Sequence, residues 1–215
     1  MARLLKMDLH LHSSHSFDAR AEPKALVLQA RKQGLDVIAV TDHGTVAGAL
    51  AARKLAPQGL QVIVGQETKT KQGDLLILGV EEDAPQGEDI LRTCRWARER
   101  GGLVVVPHPF DPFRRLEGLD RLRGLVDAVE GFNPKCFFAR SNRKAQEWAA
   151  AHSLPVLANS DAHRAEDVGK AYSLAAGEPL AAIRAGKVSM AGGGHAKSLL
   201  LQRQLRKRLG RKQQA

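Results

Sequence analysis

The stretch MDLHLHSSHSFDA, residues 7–19, places three histidines and two aspartates in thirteen positions. An extended chain there points His10 and His12 to one face and Leu9 and Leu11 to the other. Asp18 follows just beyond the strand. The same pairing of short apolar runs with acids and histidines recurs along the chain. VIAVTDHG brings Asp42 and His43, VIVGQET brings Glu67, and LVVVPHPF brings His108. DAVEGFNP brings Glu130, PVLANSDAH brings Asp161 and His163, and Asp74 opens the run DLLILGV. Carboxylates gathered in a half-buried place repel one another, and burial penalises each charge. Divalent cations remove that penalty. Mixed imidazole and carboxylate donors suit zinc, manganese or iron, whereas an all-oxygen set would indicate magnesium or calcium. A single histidine after a strand is usually a hydrogen-bonded structural residue. Recurrence at successive strand ends is what points to a site for more than one metal ion.

The elements that must position these groups are legible in outline. Strands are expected at 4–9, 37–40, 61–64, 75–80, 103–106, 126–129, 156–158 and 172–175. Helices are expected at 23–33, 45–56, 88–100, 141–151 and 179–185. EPKALVLQARKQG carries proline in its first turn and Gly34 just past its end, and Ser141 and Asn142 are candidate caps for the fourth helix. Apolar strands alternating with helices argue for the α/β class with a largely parallel sheet. Seven or eight strands in this length favour a compact β/α barrel, whose strand C-termini converge on one mouth. No GxGxxG or Walker loop follows the first strand.

The chain has 215 residues, enough for one domain with a full core, and a net charge of +10. Residues 195–215 hold seven Lys or Arg and no acid, so the remainder carries only +3. The basic character therefore belongs to a C-terminal tail, where Leu200, Leu201, Leu205 and Leu209 are spaced for a short basic helix. No apolar run is long enough to span a bilayer, and MARLLKMDLH lacks the apolar core of a secretion leader. No membrane association is expected. Cys94 and Cys136 show no paired spacing, which fits a reduced, cytoplasmic setting, and Cys94 falls on the apolar stripe of its helix.

DLHLHSSHSFD, VTDHG, GQETKTKQGD, PHPF, VEGFN and NSDAH occur in this order over almost the whole body. Together they resemble the PHP (polymerase and histidinol phosphatase) superfamily of metal-dependent phosphoesterases. The resemblance implies a distorted, TIM-like β/α barrel, seven-stranded in the family, over residues 1–194, with 195–215 outside it. It implies two or three divalent ions (manganese, zinc or iron, with magnesium an option) at the barrel mouth. One would be held by His10, His12, Glu67 and Asp161, a second by Glu67 and His108, and a third by Asp18, His43 and His163. Asp8 and Asp42 would stand behind the ligands and orient imidazoles, and Glu130 would lie beside the metals or face substrate. Many relatives resemble TKxGH where this chain has Thr70, Lys71, Gln72, Gly73 and Asp74. Asp74 would then replace a histidine as an oxygen ligand, or leave that ion weakly held.

Such a site implies hydrolysis of a phosphate ester, with a metal-bridging hydroxide as nucleophile and Glu67, Asp161 and His163 nearest the reaction. Arg164, after SDAH, and Arg20 are the expected phosphate clamps, with Lys135, Arg140 and Arg143 as further cations near the mouth. The expected substrate is a small phosphomonoester, a nucleotide or an amino-alcohol phosphate. The alternative is a nuclease or polynucleotide-end phosphatase that holds nucleic acid through the basic tail, although nine aromatics offer few stacking platforms. Two other readings stay open. An amidohydrolase also opens on an HxH strand but commonly needs a bridging lysine where this chain has Glu67, and a non-catalytic barrel would keep the motifs for folding alone.

Overall fold

The structure, a computed structural model, describes residues 3–192. The basic stretch 195–215, with its expected helix, lies outside the described residues. The first half runs β1 Leu4–Leu11, α1 Pro23–Lys32, β2 Val37–Val40, α2 Ala47–Leu55, β3 Gln61–Lys69 and β4 Asp74–Leu78. The second runs α3 Ile90–Glu99, β5 Leu103–Val106, β6 Ala128–Phe132, α4 Ala139–Ala151, β7 Val156–Ala158, β8 Ala171–Ala176, α5 Pro179–Arg184 and β9 Val188–Gly192. Local chemistry explains several boundaries. α1 opens on Pro23, and Gly34 just beyond it takes φ +65°, which costs glycine nothing. α3 is capped by Asp89, whose carboxylate accepts from the Leu91 amide. Cys94 is buried in that helix, and burial pushes its thiol up to about 12, which leaves it inert.

The strands form one sheet in the order β7-β6-β5-β4-β3-β2-β1-β8-β9. Its ends curl together. The Ser173 hydroxyl on β8 accepts from the Ala158 amide of β7 at 2.8 Å and donates to the Ala158 carbonyl at 3.0 Å. Met190 of β9 packs with Ala158, Phe132 and Val156 across the same seam. The architecture is a distorted, nearly closed α/β barrel.

Met7, Leu9, Val37, Ala39, Ile63, Leu76, Val105 and Leu157 pack together in one core cluster. Ile38 and Val40 instead pack with Leu26, Ala30, Ala49 and Ala52 of α1 and α2. The strands of the second half pack through Leu75, Ile77, Val104 and Val106 against Ile90, Cys94 and Ala97 of α3.

Four expectations need correction. Nine strands are present among the described residues, not seven or eight, because β9 pairs antiparallel with β8. The sheet is not largely parallel: β3–β4, β4–β5, β1–β8 and β8–β9 are antiparallel. The turn between Lys69 and Asp74 is far too short for a parallel crossover, which needs about a dozen residues. Ser141 and Asn142 do not cap α4, which starts at Ala139; the Asn142 side chain accepts from the Asn133 amide and donates to its carbonyl. Finally, Leu9 and Leu11 do not share a core. The β1–β2 register shifts between Asp8 and Leu11, and Leu11 packs with Ile38 and Val40 on the helix side.

Candidate metal centre

The shift in β1 ends the strand with His10 and His12 both fully buried and their Nε2 atoms 3.1 Å apart. Glu67, near the end of β3, sets Oε2 3.1 Å from the His10 Nε2 and 3.2 Å from the His12 Nε2. Asp161, beyond β7, sets Oδ1 at 3.6 and 3.5 Å from the same two nitrogens. Donor atoms about 2.0–2.2 Å from a tetrahedral ion stand roughly 3.3–3.6 Å from one another. Asp161 Oδ1 is moreover buried with no hydrogen-bond partner. A buried carboxylate oxygen left without a donor is costly. The donor set, its spacing and this orphaned atom fit a divalent cation at the centre of the four.

Two further clusters adjoin this one. Glu67 Oε1 lies 3.1 Å from His108 Nε2, and a carboxylate oxygen of Asp74 lies within 4.8 Å of both donor atoms. Asp18 Oδ2 lies 3.3 Å from His43 Nε2 and 3.1 Å from His163 Nε2, with His12 in the same group. The structure thus brings His10, His12, Asp18, His43, Glu67, Asp74, His108, Asp161 and His163 to one mouth. His108 and Asp161 adopt φ of 28° and 53°. Left-handed backbone at residues other than glycine costs on the order of 1–3 kcal/mol and persists where surrounding contacts enforce it. Here the Glu130 carboxylate accepts from the His108 amide at 3.0 Å, and the His12 amide donates to the Ala162 carbonyl at 2.8 Å.

Glu130 organises the floor. Its Oε1 meets His10 Nδ1 at 3.0 Å and accepts from Asn159 Nδ2 at 3.0 Å; its Oε2 accepts from Asn133 Nδ2 at 2.9 Å. A carboxylate only accepts, so the His10 proton sits on Nδ1 and Nε2 is left facing the cage. Asp8 and Asp42 do not orient imidazoles. Asp8 accepts from the Ser160 and Gly169 amides, and Asp42 accepts from the amide and hydroxyl of Ser13. They tie together loops that carry donors. In Asp8 burial outweighs these bonds and lifts the carboxyl to about 6.

Opposed charges stabilise one another within the donor set. Burial alone would lower His10 and His12, but the carboxylates of Asp161, Glu67 and, for His10, Glu130 outweigh it. His10 is held well above 6.5 and His12 rises to about 8. Burial alone would likewise raise Glu67 and Asp161, yet His10 and the other cations around them hold both well below the carboxylate range.

The expected clamps Arg164 and Arg20 do not line the mouth. Arg164 is exposed and reaches only Glu166, at 3.9 Å, while Arg20 is an exposed loop residue. The mouth is a cleft of about 290 Å³ whose cations are Arg114 and Lys135. Arg114 Nη1 donates to Asp161 Oδ2 at 2.6 Å, and Lys135 Nζ lies 2.8 Å from His163 Nδ1. Asp111 ties their two loops together by accepting from the Phe113 and Phe137 amides. Sequence reasoning missed Arg114 because it lies in an irregular stretch with no strand end to mark it.

The family model described as PHP-associated matches residues 139–188. An uncharacterized protein of Methanocaldococcus jannaschii is 36% identical over 141 residues, covering 60% of this chain and 82% of that one. A phosphoribosyl 1,2-cyclic phosphate 1,2-diphosphodiesterase of Eggerthella lenta is 39% identical over 85 residues, 36% of this chain and 32% of that one. In fold, the chain is similar to a two-domain protein of Bacteroides vulgatus that contains a predicted PHP-like metal-dependent phosphoesterase. That match has a TM-score of 0.74 and 20% identity, and covers 89% of this chain and 65% of the other. The chain is thus similar over residues 139–188 to a PHP-associated family and similar in fold to a protein containing a predicted PHP-like metal-dependent phosphoesterase. No helix among the described residues is long and apolar enough to cross a membrane.

Proposed function

We propose that this protein hydrolyses small phosphate monoesters at the barrel mouth with divalent ions as cofactor. His10, His12, Glu67 and Asp161 hold the first ion; Glu67, His108 and Asp74 hold the second; Asp18, His43 and His163 hold the third. Manganese, zinc or iron suits this imidazole–carboxylate mixture, and the oxygen donor Asp74 draws the second position toward manganese or magnesium. Bound there, the ions polarise the phosphoryl group and activate water. The observation that carries the reading is the four-atom cage with its orphaned Asp161 Oδ1.

The chain's own groups do the rest. Arg114, anchored by its bonds to Asp161 Oδ2 and the Lys135 carbonyl, and Lys135 receive the phosphoryl oxygens with their remaining N–H donors. Glu130 keeps the His10 Nε2 lone pair directed inward. Asp111 holds the two cationic loops at a fixed spacing.

The test is phosphate release with Mn²⁺ across nucleoside monophosphates, ribose 5-phosphate, an amino-alcohol phosphate and short single-stranded oligonucleotides. Turnover of a small monoester, cut at least a hundredfold in Asp161→Asn, is the expected result. Turnover of oligonucleotides alone, lost on deleting residues 197–215, would replace this reading with a nuclease. Turnover that survives Asp161→Asn would remove the metal cage from the mechanism.

A further inference from the structure

Aromatic residues are scarce in this chain, yet four of its six phenylalanines are exposed: Phe17, Phe113, Phe137 and Phe138. They are the exposed aromatics among the large apolar side chains that face solvent, and they gather at the mouth. Phe113 and Phe137 line the cleft itself, 76% and 63% exposed, with ring centroids 5.2 Å apart at 80°. Phe138 packs edge-on against Phe137 at 4.7 Å. On the side of the third donor cluster, Phe17 is 88% exposed and stacks on His43 at 5.1 Å. Leaving such rings in water forfeits their burial. Grouped beside a charged cleft, they form an exposed apolar surface of the kind that marks a binding site.

One cleft is lined by residues of the donor clusters, by Arg114 and Lys135, and by Phe113 and Phe137. Its contents specify a bifunctional ligand, anionic at one end and flat and apolar at the other. The Asp111 carboxylate bonds the amides of Phe113 and Phe137, so the aromatic pair is held on the same frame that presents the two cations. A cleft of about 290 Å³ is at the small end of ligand pockets, which run from roughly 300 to 1,000 Å³, and suits one monomeric ester. A sugar phosphate or amino-alcohol phosphate would leave the aromatic end unfilled.

We infer that Phe113 and Phe137 form a stacking platform for a nucleobase, which makes nucleoside monophosphates the substrate class. This rests on the proposed phosphoesterase reading for the position of the phosphate, and on the aromatic geometry for the base. Base–aromatic stacking is sensitive to loss of the ring face, and removing one such partner weakens binding by about tenfold.

Two readouts separate this inference from the reading it rests on. The first is equilibrium binding of 2-aminopurine riboside carrying a non-hydrolysable 5′-phosphonate to the full-length Mn²⁺-loaded protein, followed by quenching of the base fluorescence. The second is the ratio of kcat/KM for adenosine 5′-monophosphate over ribose 5-phosphate. Quenched binding about tenfold weaker in Phe113→Leu and Phe137→Leu, with the ratio falling toward one, is expected. Leucine keeps the apolar volume but not the flat face. If the nucleotide binds with this dependence and no ester is hydrolysed, the platform stands and the phosphoesterase reading falls. If both esters are hydrolysed equally and the leucine variants keep wild-type nucleotide affinity, the platform falls and the phosphoesterase stands. Phenyl phosphate bound as tightly as the nucleotide would also overturn the assignment of a base.

Discussion

Glu130 shows how one residue can govern a site without touching what binds there. It is fully buried and its two oxygens meet His10, His108, Asn133 and Asn159. Replacing it with glutamine keeps the volume but exchanges two acceptor oxygens for one and puts an N–H against a donor. Loss of such a partner behind a metal ligand typically lowers affinity 10–100-fold. Glu130→Gln is expected to weaken Mn²⁺ binding by that factor in calorimetric titration, with the circular dichroism spectrum of the fold retained; unchanged affinity would show that His10 needs no orientation. At this scale the sequence was most informative. Most of the expected donors stand near strand ends, where a barrel converges its chains, whereas Asp18 lies in the loop after β1 and Asp74 opens β4. The cationic groups were less legible. Arg114 and the interlocking role of Asp111 depend on the path of residues 109–118, which no periodicity encodes. Asp8 stands two residues before His10 and Asp42 directly before His43, yet both carboxylates bond to groups of other loops.

Elements position these residues through close approaches that leave little room for change. Gly48 lies in α2, where alanine ordinarily stabilises by about 1 kcal/mol. A Cβ there would fall 1.9 Å from Asp42 Oδ2 and 2.3 Å from Ser13 Oγ, so the helix docks on the very bond that holds the β1 loop. Gly48→Ala is therefore expected to reverse the usual sign and lower stability by about 1–3 kcal/mol in urea denaturation; a gain would mean that the helix can shift without disturbing the loop. The strands and helices of the first half were readable because their apolar periods are unbroken. Three features were not. The shift in β1 has no distinctive residue to announce it. β9 has only five residues and ends on Gly192. The start of α4 is displaced because Asn142, a good cap in isolation, bonds instead to Asn133 across the site.

The whole molecule is a curled sheet that gathers acids and imidazoles from distant parts of the chain. Its closure through Ser173 and the antiparallel β8–β9 pair was hidden from sequence, since a hydroxyl bridging two strand ends resembles any other serine in a strand. Convergence has an electrostatic consequence. Surrounding carboxylates favour the protonated rings of His10 and His12 and raise both above 6.5, His12 to about 8. These raised imidazoles stabilise the fold below their ordinary value of 6.5, and that contribution fades as pH rises through about 8. A cation can enter only as those protons leave, so its affinity must rise with pH over the same interval. The most direct measurement is calorimetric titration of Mn²⁺ into metal-free protein at pH 7, repeated in buffers of different ionisation enthalpy. Saturable binding with net proton release, smaller at pH 8.5 and weakened in Asp161→Asn, is the expected result. Binding without proton release, or no binding, would contradict a metal centre built on His10 and His12.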